Sequence, residues 1–184
     1  VCGGGSIARK YISALEDKRY TLQSTAGIAS TRMNAKFMAC FFDQSPLQEI
    51  PQSLKSIKEL IKKQNIVFSG ALEFKPNQTT DSNAAEIAAY FKIPFVNLTN
   101  VFGLYDKNPK KYKNAEFISE ISWRNFDKMA NKSVFKPGQH FVLDQTASKI
   151  ILENKITTYI FGKNIEELDK LLKGKKFKGT IIKN

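Results

Sequence analysis

Short apolar runs set between stretches of helical periodicity constrain this chain more than any other feature. Ile66–Phe68, Phe95–Leu98 and Thr158–Phe161 are too short for helices and rich in β-branched and aromatic residues. They end on Ser69-Gly70, Thr99-Asn100 and Gly162. Such runs read as strands buried on both faces, and parallel strands need helical crossovers to join them. The intervening sequence supplies helices. Ile7, Ile12 and Leu15 share one side of Ser6–Lys18, and Ile28, Met33, Phe37 and Phe41 are the apolar members of Ala26–Phe42. Leu54, Ile57, Leu60 and Ile61 mark another amphipathic helix. One more begins near Asp81 with Ala84, Ala88 and Phe91 inward, and others cover Asn125–Ala130, Gln145–Glu153 and Glu166–Leu172. Further strands are expected at Ile93–Leu98, Phe117-Ile118, Ile156–Phe161 and Thr180–Ile182, with turns at Pro46–Pro51 and Pro137-Gly138. The expected class is α/β, a mostly parallel central sheet with helices on both faces.

A chain of 184 residues without internal repeat or linker is expected to form one domain, 1–184. No apolar run approaches the ~20 residues of a membrane span, and no signal-peptide layout opens the chain, so a cytoplasmic protein is expected. Cys2 and Cys40 lie far apart and His140 is the lone histidine. That composition disfavours a His-based metal site and a Ser-His-Asp triad. The formal charge of +12 raises the question of nucleic acid, but only four of the 29 basic residues are arginine. The lysines are scattered and not interleaved with aromatics, which argues against base reading and for a solvated surface facing polyanionic substrates. The opening Val1-Cys2-Gly3-Gly4-Gly5 reads as the tail of a strand, so an N-terminal strand is expected to be missing.

Several constellations carry chemistry. Gly3-Gly4-Gly5-Ser6 forms a glycine turn into a helix, where backbone N–H groups can meet a phosphate and Arg9 lies one turn on. Ser6 as an ordinary cap is the plainer alternative. Thr79-Thr80-Asp81 offers two hydroxyls and a carboxylate at a helix start, with capping by Thr80 or Asp81 as its alternative. Thr99-Asn100-Val101-Phe102-Gly103-Leu104-Tyr105 lies where a strand ends, the place where open α/β sheets bind ligands, and Tyr105 could lie against a base. Asp144 opens a helix, Lys149 reads as a surface lysine, and His140 reads as structural.

Together these pieces resemble the amino acid kinase family, and within it the UMP kinases of archaeal type. The resemblance runs through Gly3–Ile12, Gly27–Ala35, Thr79–Ser82, Asn97–Val101, Asn108-Pro109, Asp144–Ile151 and Gly179–Ile182. It implies an αβα sandwich that transfers the γ-phosphoryl group of ATP, with Mg²⁺, to UMP, giving UDP for pyrimidine nucleotide biosynthesis. It also implies a homo-oligomer, often a hexamer. By position, Gly4, Lys75, Pro76, Asn77, Gln78, Thr79 and Thr80 would bind UMP. Gly5, Arg9, Thr99, Asn100, Tyr105 and Asn108 would bind ATP, and Asp81 and Asp144 would stand near the transferring phosphate. No protein metal ligand is implied.

The chain departs from the family's pattern at five places. Ser6 replaces a lysine, Ser24 an acid expected on the UMP ribose, Asn77 a glycine, and Phe102 and Asn108 aspartates. These changes keep two alternatives open, a nucleotide-binding regulatory protein and a kinase for another small acceptor. The resemblance also places a strand and a glycine-rich phosphate loop ahead of residue 1, so low activity is expected of residues 1–184 alone.

Overall fold

Residues 1–45, 47–76, 78–132 and 142–184 are described in the computed structural model, which divides into two units, 1–84 and 85–184. Pro46, Asn77, His140 and the Pro137-Gly138 turn lie outside the described residues.

In the first unit, α1 (Gly5–Ser13) packs on α2 (Tyr20–Phe41), and α3 (Leu54–Leu60) follows with a Ser53/Ser56 capping box. α2 starts six residues before the expected Ala26. Its first turns hold Thr21, Ser24 and Thr25, hydroxyl residues that favour turns in isolation, but Thr25 Oγ1 donates to Thr21 O inside the helix (2.8 Å). The face buried by α2 is Ser30, Thr31, Ala35 and Ala39, whereas Met33, Phe37 and Phe41 are 68%, 66% and 70% exposed. The expectation for Ile66–Phe68 is corrected, because no strand forms there. Gln44 Nε2 donates to Ile66 O, and just beyond the segment Cys2 N donates to Ser69 O (both 2.7 Å).

α4 (Thr80–Phe91) begins in the first unit and continues into the second. The second unit is built on β1 (Phe95–Leu98), β4 (Glu120–Ser122), β5 (Thr158–Phe161) and β6 (Thr180–Lys183), in the order β1-β5-β6-β4. β1/β5 and β4/β6 are parallel and β5/β6 antiparallel, so the sheet is mostly parallel as expected. Two short strands, β2 (Leu104–Tyr105) and β3 (Phe117–Ile118), form an antiparallel ribbon beside it. Helices α5 (Trp123–Lys132), α6 (Gln145–Asn154) and α7 (Ile165–Leu172) complete the unit. Phe126, Leu143, Ala147, Ile151, Ile160, Phe161 and Ile182 are buried and make its core.

Ribbon and sheet are joined by one hydroxyl. Thr180 Oγ1, fully buried, donates to Ile118 O (2.5 Å) and accepts from Leu104 N (2.8 Å). Thr180→Val keeps the volume but orphans the Leu104 N–H, a loss of about 1–3 kcal/mol. A drop in the urea midpoint at unchanged m-value checks this.

Candidate functional site

The first unit assembles a glycine turn and the segment 69–72 around the middle of α2. Gly3 O accepts from Asn34 Nδ2 (2.6 Å), and a Cβ on Gly4 would lie 3.5 Å from Thr31 Cγ2 and 3.6 Å from Gly27 O. Gly5 takes φ of +60°, a conformation that suits glycine. No side chain caps α1, and Arg9, one turn in, is exposed. Burial pushes the Cys2 thiol above its ordinary value, so it stays protonated rather than serving as a nucleophile.

Segment 69–72 is clamped to the same part of α2. Thr31 Oγ1 accepts from Ala71 N (2.8 Å) and donates to Ile28 O (2.7 Å). Arg32 donates through Nε to Ala71 O (3.1 Å) and through its terminal nitrogen to Leu72 O. Desolvation lowers the pKa of the Arg32 guanidinium, yet it stays charged, so both bonds are charge-assisted. On the other side, Asn83 Oδ1 accepts from Leu72 N (3.1 Å). The clamp fixes where the loop of Lys75, Pro76, Gln78, Thr79 and Thr80 departs. Lys75 and Pro76 are exposed, and Gln78, Thr79, Thr80 and Asp81 are half-buried.

The cap of α4 is Thr79, not Thr80 or Asp81. Thr79 Oγ1 accepts from Asp81 N (3.1 Å) and Ser82 N (3.3 Å), while Ser82 Oγ accepts from Thr79 N (2.8 Å). This reciprocal pair is a capping box with serine at its third position. It leaves Thr80 and Asp81 on the first turn, where the helix dipole favours anionic groups. Asn83 adds a bond from Nδ2 to Thr79 O (3.0 Å). Ser82 and Asn83, both buried, were missed as site-building residues. Their signal was the Thr-x-x-Ser spacing.

In the second unit Thr99 and Asn100 follow the carboxyl end of β1. Thr99 N donates to Phe161 O (2.9 Å), continuing the β1/β5 ladder by one step, and half-buried Thr99 is followed by exposed Asn100. Asn97, a polar residue inside an apolar run, donates from Nδ2 to Val142 O (3.1 Å). That bond ties the approach to Asp144 to β1, a function the sequence reading did not assign. Asp144 caps α6, its Oδ1 accepting from Ala147 N (2.9 Å). Tyr105 meets Phe117 edge-to-face across the ribbon, with centroids 5.4 Å apart. Asn108 Oδ1 accepts from Lys110 N (2.9 Å) in a turn. Lys149 is a surface lysine, 3.9 Å from Glu153.

The structure thus brings Gly4, Gly5, Arg9 and the 75–81 loop together in one unit. It places Thr99, Asn100, Tyr105, Asn108 and Asp144 in the other. Among the described residues, no group of three or more His, Cys, Asp or Glu could hold a metal ion.

Comparison with known proteins decides the family. The profile of the amino acid kinase family matches residues 1–162. The chain belongs to the amino acid kinase family. Similar members include the uridylate kinase of Thermococcus kodakarensis, 36% identical over 99% of this chain and 81% of that one. The uridylate kinase of Archaeoglobus fulgidus is 34% identical over 99% of this chain and 83% of its own length. The crystal structure of that Archaeoglobus enzyme superposes with a TM-score of 0.84 at 32% identity, covering 98% of this chain and 81% of that one. UMP kinase from Ureaplasma parvum superposes at 0.77 with 26% identity, over 99% and 80%. The amino acid kinase fold accounts for the mixed α/β architecture and the mostly parallel sheet described above.

Proposed function

We propose that this protein is a uridylate kinase, with 1–184 as part of its amino acid kinase domain, and that it moves the γ-phosphoryl group of ATP to UMP and releases UDP and ADP. The observation that carries this reading is the match, across 99% of the chain, to archaeal relatives named for that activity. The geometry supports it. The acceptor residues Gly4, Lys75, Pro76, Asn77, Gln78, Thr79 and Thr80 fall in the first unit, all but the undescribed Asn77 on or just beyond the glycine turn and the clamped 69–72 segment. The donor residues Thr99, Asn100, Tyr105 and Asn108 fall in the second unit, beyond the carboxyl end of β1, and the resemblance gives Gly5 and Arg9 of the first unit to ATP as well.

Phosphoryl transfer asks little covalent chemistry of a protein. It needs two polyanions aligned and the spreading charge neutralised. Mg²⁺ enters as part of the substrate, bound to ATP, where it offsets phosphate charge. The carboxylates of Asp81 and Asp144, hard oxygen donors of the kind that suit Mg²⁺ and its waters, orient the cationic groups at the transferring phosphate. The same reading has the protein act in the cytoplasm. No described helix is long and apolar enough to cross a membrane.

Acceptor choice tests the reading against a kinase for another small molecule. With MgATP fixed, ADP release should depend on UMP and fall at least tenfold with CMP, AMP or a phosphorylated alcohol. Equal or greater turnover on a non-nucleotide acceptor would overturn it.

A homo-oligomer forms through α2. Leu22, Thr25, Ala29, Met33, Phe37, Cys40 and Phe41 make an exposed stripe without a charge, on a chain of net charge +12. Thr25 and Ala29, both small, precede Met33, Phe37 and Phe41, all large, with Leu22 and Cys40 outside that order. Antiparallel pairing with a second copy about Met33 sets Phe37 against Ala29 and Phe41 against Thr25, large on small, as an isologous interface requires. Replacing Phe37 and Phe41 together by Glu should reduce the mass seen by light scattering to that of the monomer. An unchanged mass would contradict this interface.

A further inference from the structure

Two residues outside the assigned site, Lys178 and Phe102, stand on the same sheet edge as Thr99. In the antiparallel β5/β6 pair Thr180 faces Ile160, so continuing that register places Lys178 opposite Gly162, one step past the carboxyl end of β5. In the parallel β1/β5 pair Leu98 aligns with Phe161, which puts Thr99 beside Gly162. One row beyond the strands therefore holds Thr99, Gly162 and Lys178.

Three local features fix the lysine there. Its backbone N–H donates to Glu167 Oε2 (2.5 Å), and Glu167 also accepts from Lys170 Nζ (2.7 Å). These bonds, that from Lys170 first, hold the Glu167 carboxyl below its ordinary range. Gly179 is pressed against β5, since a Cβ there would lie 2.7 Å from Ile160 O. The ammonium itself sits 4.2 Å from the centroid of the Phe102 ring. Phe102 is in turn set by Gly162, where a Cβ would come within 3.2 Å of Val101 O and 3.7 Å of Phe102 Cα. A ring 53% exposed thus carries the cation in a row that has Thr99 two strands away.

We infer that Lys178 is a further donor-nucleotide contact, supplying positive charge to the phosphates of ATP, and that Phe102 positions its ammonium. The inference rests on the kinase reading, and it goes beyond the residues that reading assigns. A preorganised cation at the carboxyl edge of an α/β sheet meets a polyphosphate without first giving up side-chain freedom, which is the gain the Phe102 ring provides. Because Phe102 acts through Lys178, the two should behave as a unit.

The test is steady-state kinetics on Lys178→Met, Lys178→Arg, Phe102→Ala and the double variant, with calorimetric ATP binding measured without UMP. Lys178→Met should raise KM for ATP about tenfold, the scale of one charge-assisted contact, and leave KM for UMP within about twofold. Lys178→Arg should recover most of the loss. Phe102→Ala should raise KM for ATP about threefold, and the double variant should be no worse than Lys178→Met. Both replaced side chains are exposed, so melting temperatures should hold. An unchanged ATP affinity in Lys178→Met, or equal shifts in both KM values, overturns the inference. If ATP binds and depends on Lys178 but UMP is never phosphorylated, the contact stands and the kinase reading fails.

Discussion

Asp144→Asn is expected to lower kcat by about 10²–10³-fold, the cost of removing one charge-stabilising group from a preorganised site. Folding should be nearly untouched. Asp144 caps α6 through Oδ1 to Ala147 N at 2.9 Å, and asparagine caps a helix as well as aspartate does. The substitution therefore separates the charge from the cap. Asp144→Ala removes both, so it should show the same kinetic loss plus about 1 kcal/mol of destabilisation. The Asn97–Val142 bond holds the segment ahead of Asp144 in either variant. Rapid-quench measurement of the chemical step, alongside thermal melts, checks the pair. A Asp144→Asn variant with wild-type kcat would remove Asp144 from the phosphoryl-transfer step.

The largest structural effect is expected at Gly70. A Cβ there would lie 2.6 Å from Thr31 C, Arg32 N and Thr31 Oγ1. Two of those atoms are helix backbone and cannot move cheaply. Gly70→Ala must push segment 69–72 off α2, which weakens the Thr31–Ala71 bond and both Arg32 bonds together. The expected cost is about 1–3 kcal/mol of overpacking. The same displacement shifts the start of the 75–81 loop, so KM for UMP should rise at least fivefold while KM for ATP changes little. Gly3→Ala is the control. Open space surrounds that position, and the variant should stay within about 0.5 kcal/mol of the parent. Urea titrations and paired KM values read both effects.

Where burial alone decides structure, the sequence was a good guide. β1, β5 and β6 appear within two residues of their expected bounds, but burial on both faces is approached only at β5, whereas Val96 and Leu98 of β1 are 37% and 55% exposed. Ile66–Phe68 has the same composition and forms no strand, since a strand also needs a partner ladder and composition does not reveal one. Helical spacing found the apolar side of α2 at Met33, Phe37 and Phe41, yet those residues face outward and Thr31, Ala35 and Ala39 face in. Periodicity says which residues share a face. It does not say what covers that face, and here a second copy of the chain is the proposed cover.

The candidate site was legible as motifs and not as bonds. The stretch from Thr79 to Asp81 was recognised, but its cap is shared between Thr79 and Ser82, a reciprocal contact visible only in three dimensions. Arg32, Asn83 and Asn97 do their positioning through backbone atoms of segments 39, 11 and 45 residues away. Such long-range partners leave no local pattern. Asn77 lies outside the described residues, so its assignment to UMP rests on the resemblance alone.

The central claim is that one protein binds both nucleotides and joins them through a phosphoryl group. Its most direct test follows the label from γ-labelled ATP in the intact protein with UMP and Mg²⁺. Label should appear in UDP, one equivalent for each ADP formed, and none should be transferred when UMP is omitted. Tight calorimetric binding of ATP and UMP with no label in UDP would contradict it, and would identify a nucleotide-binding protein that does not catalyse.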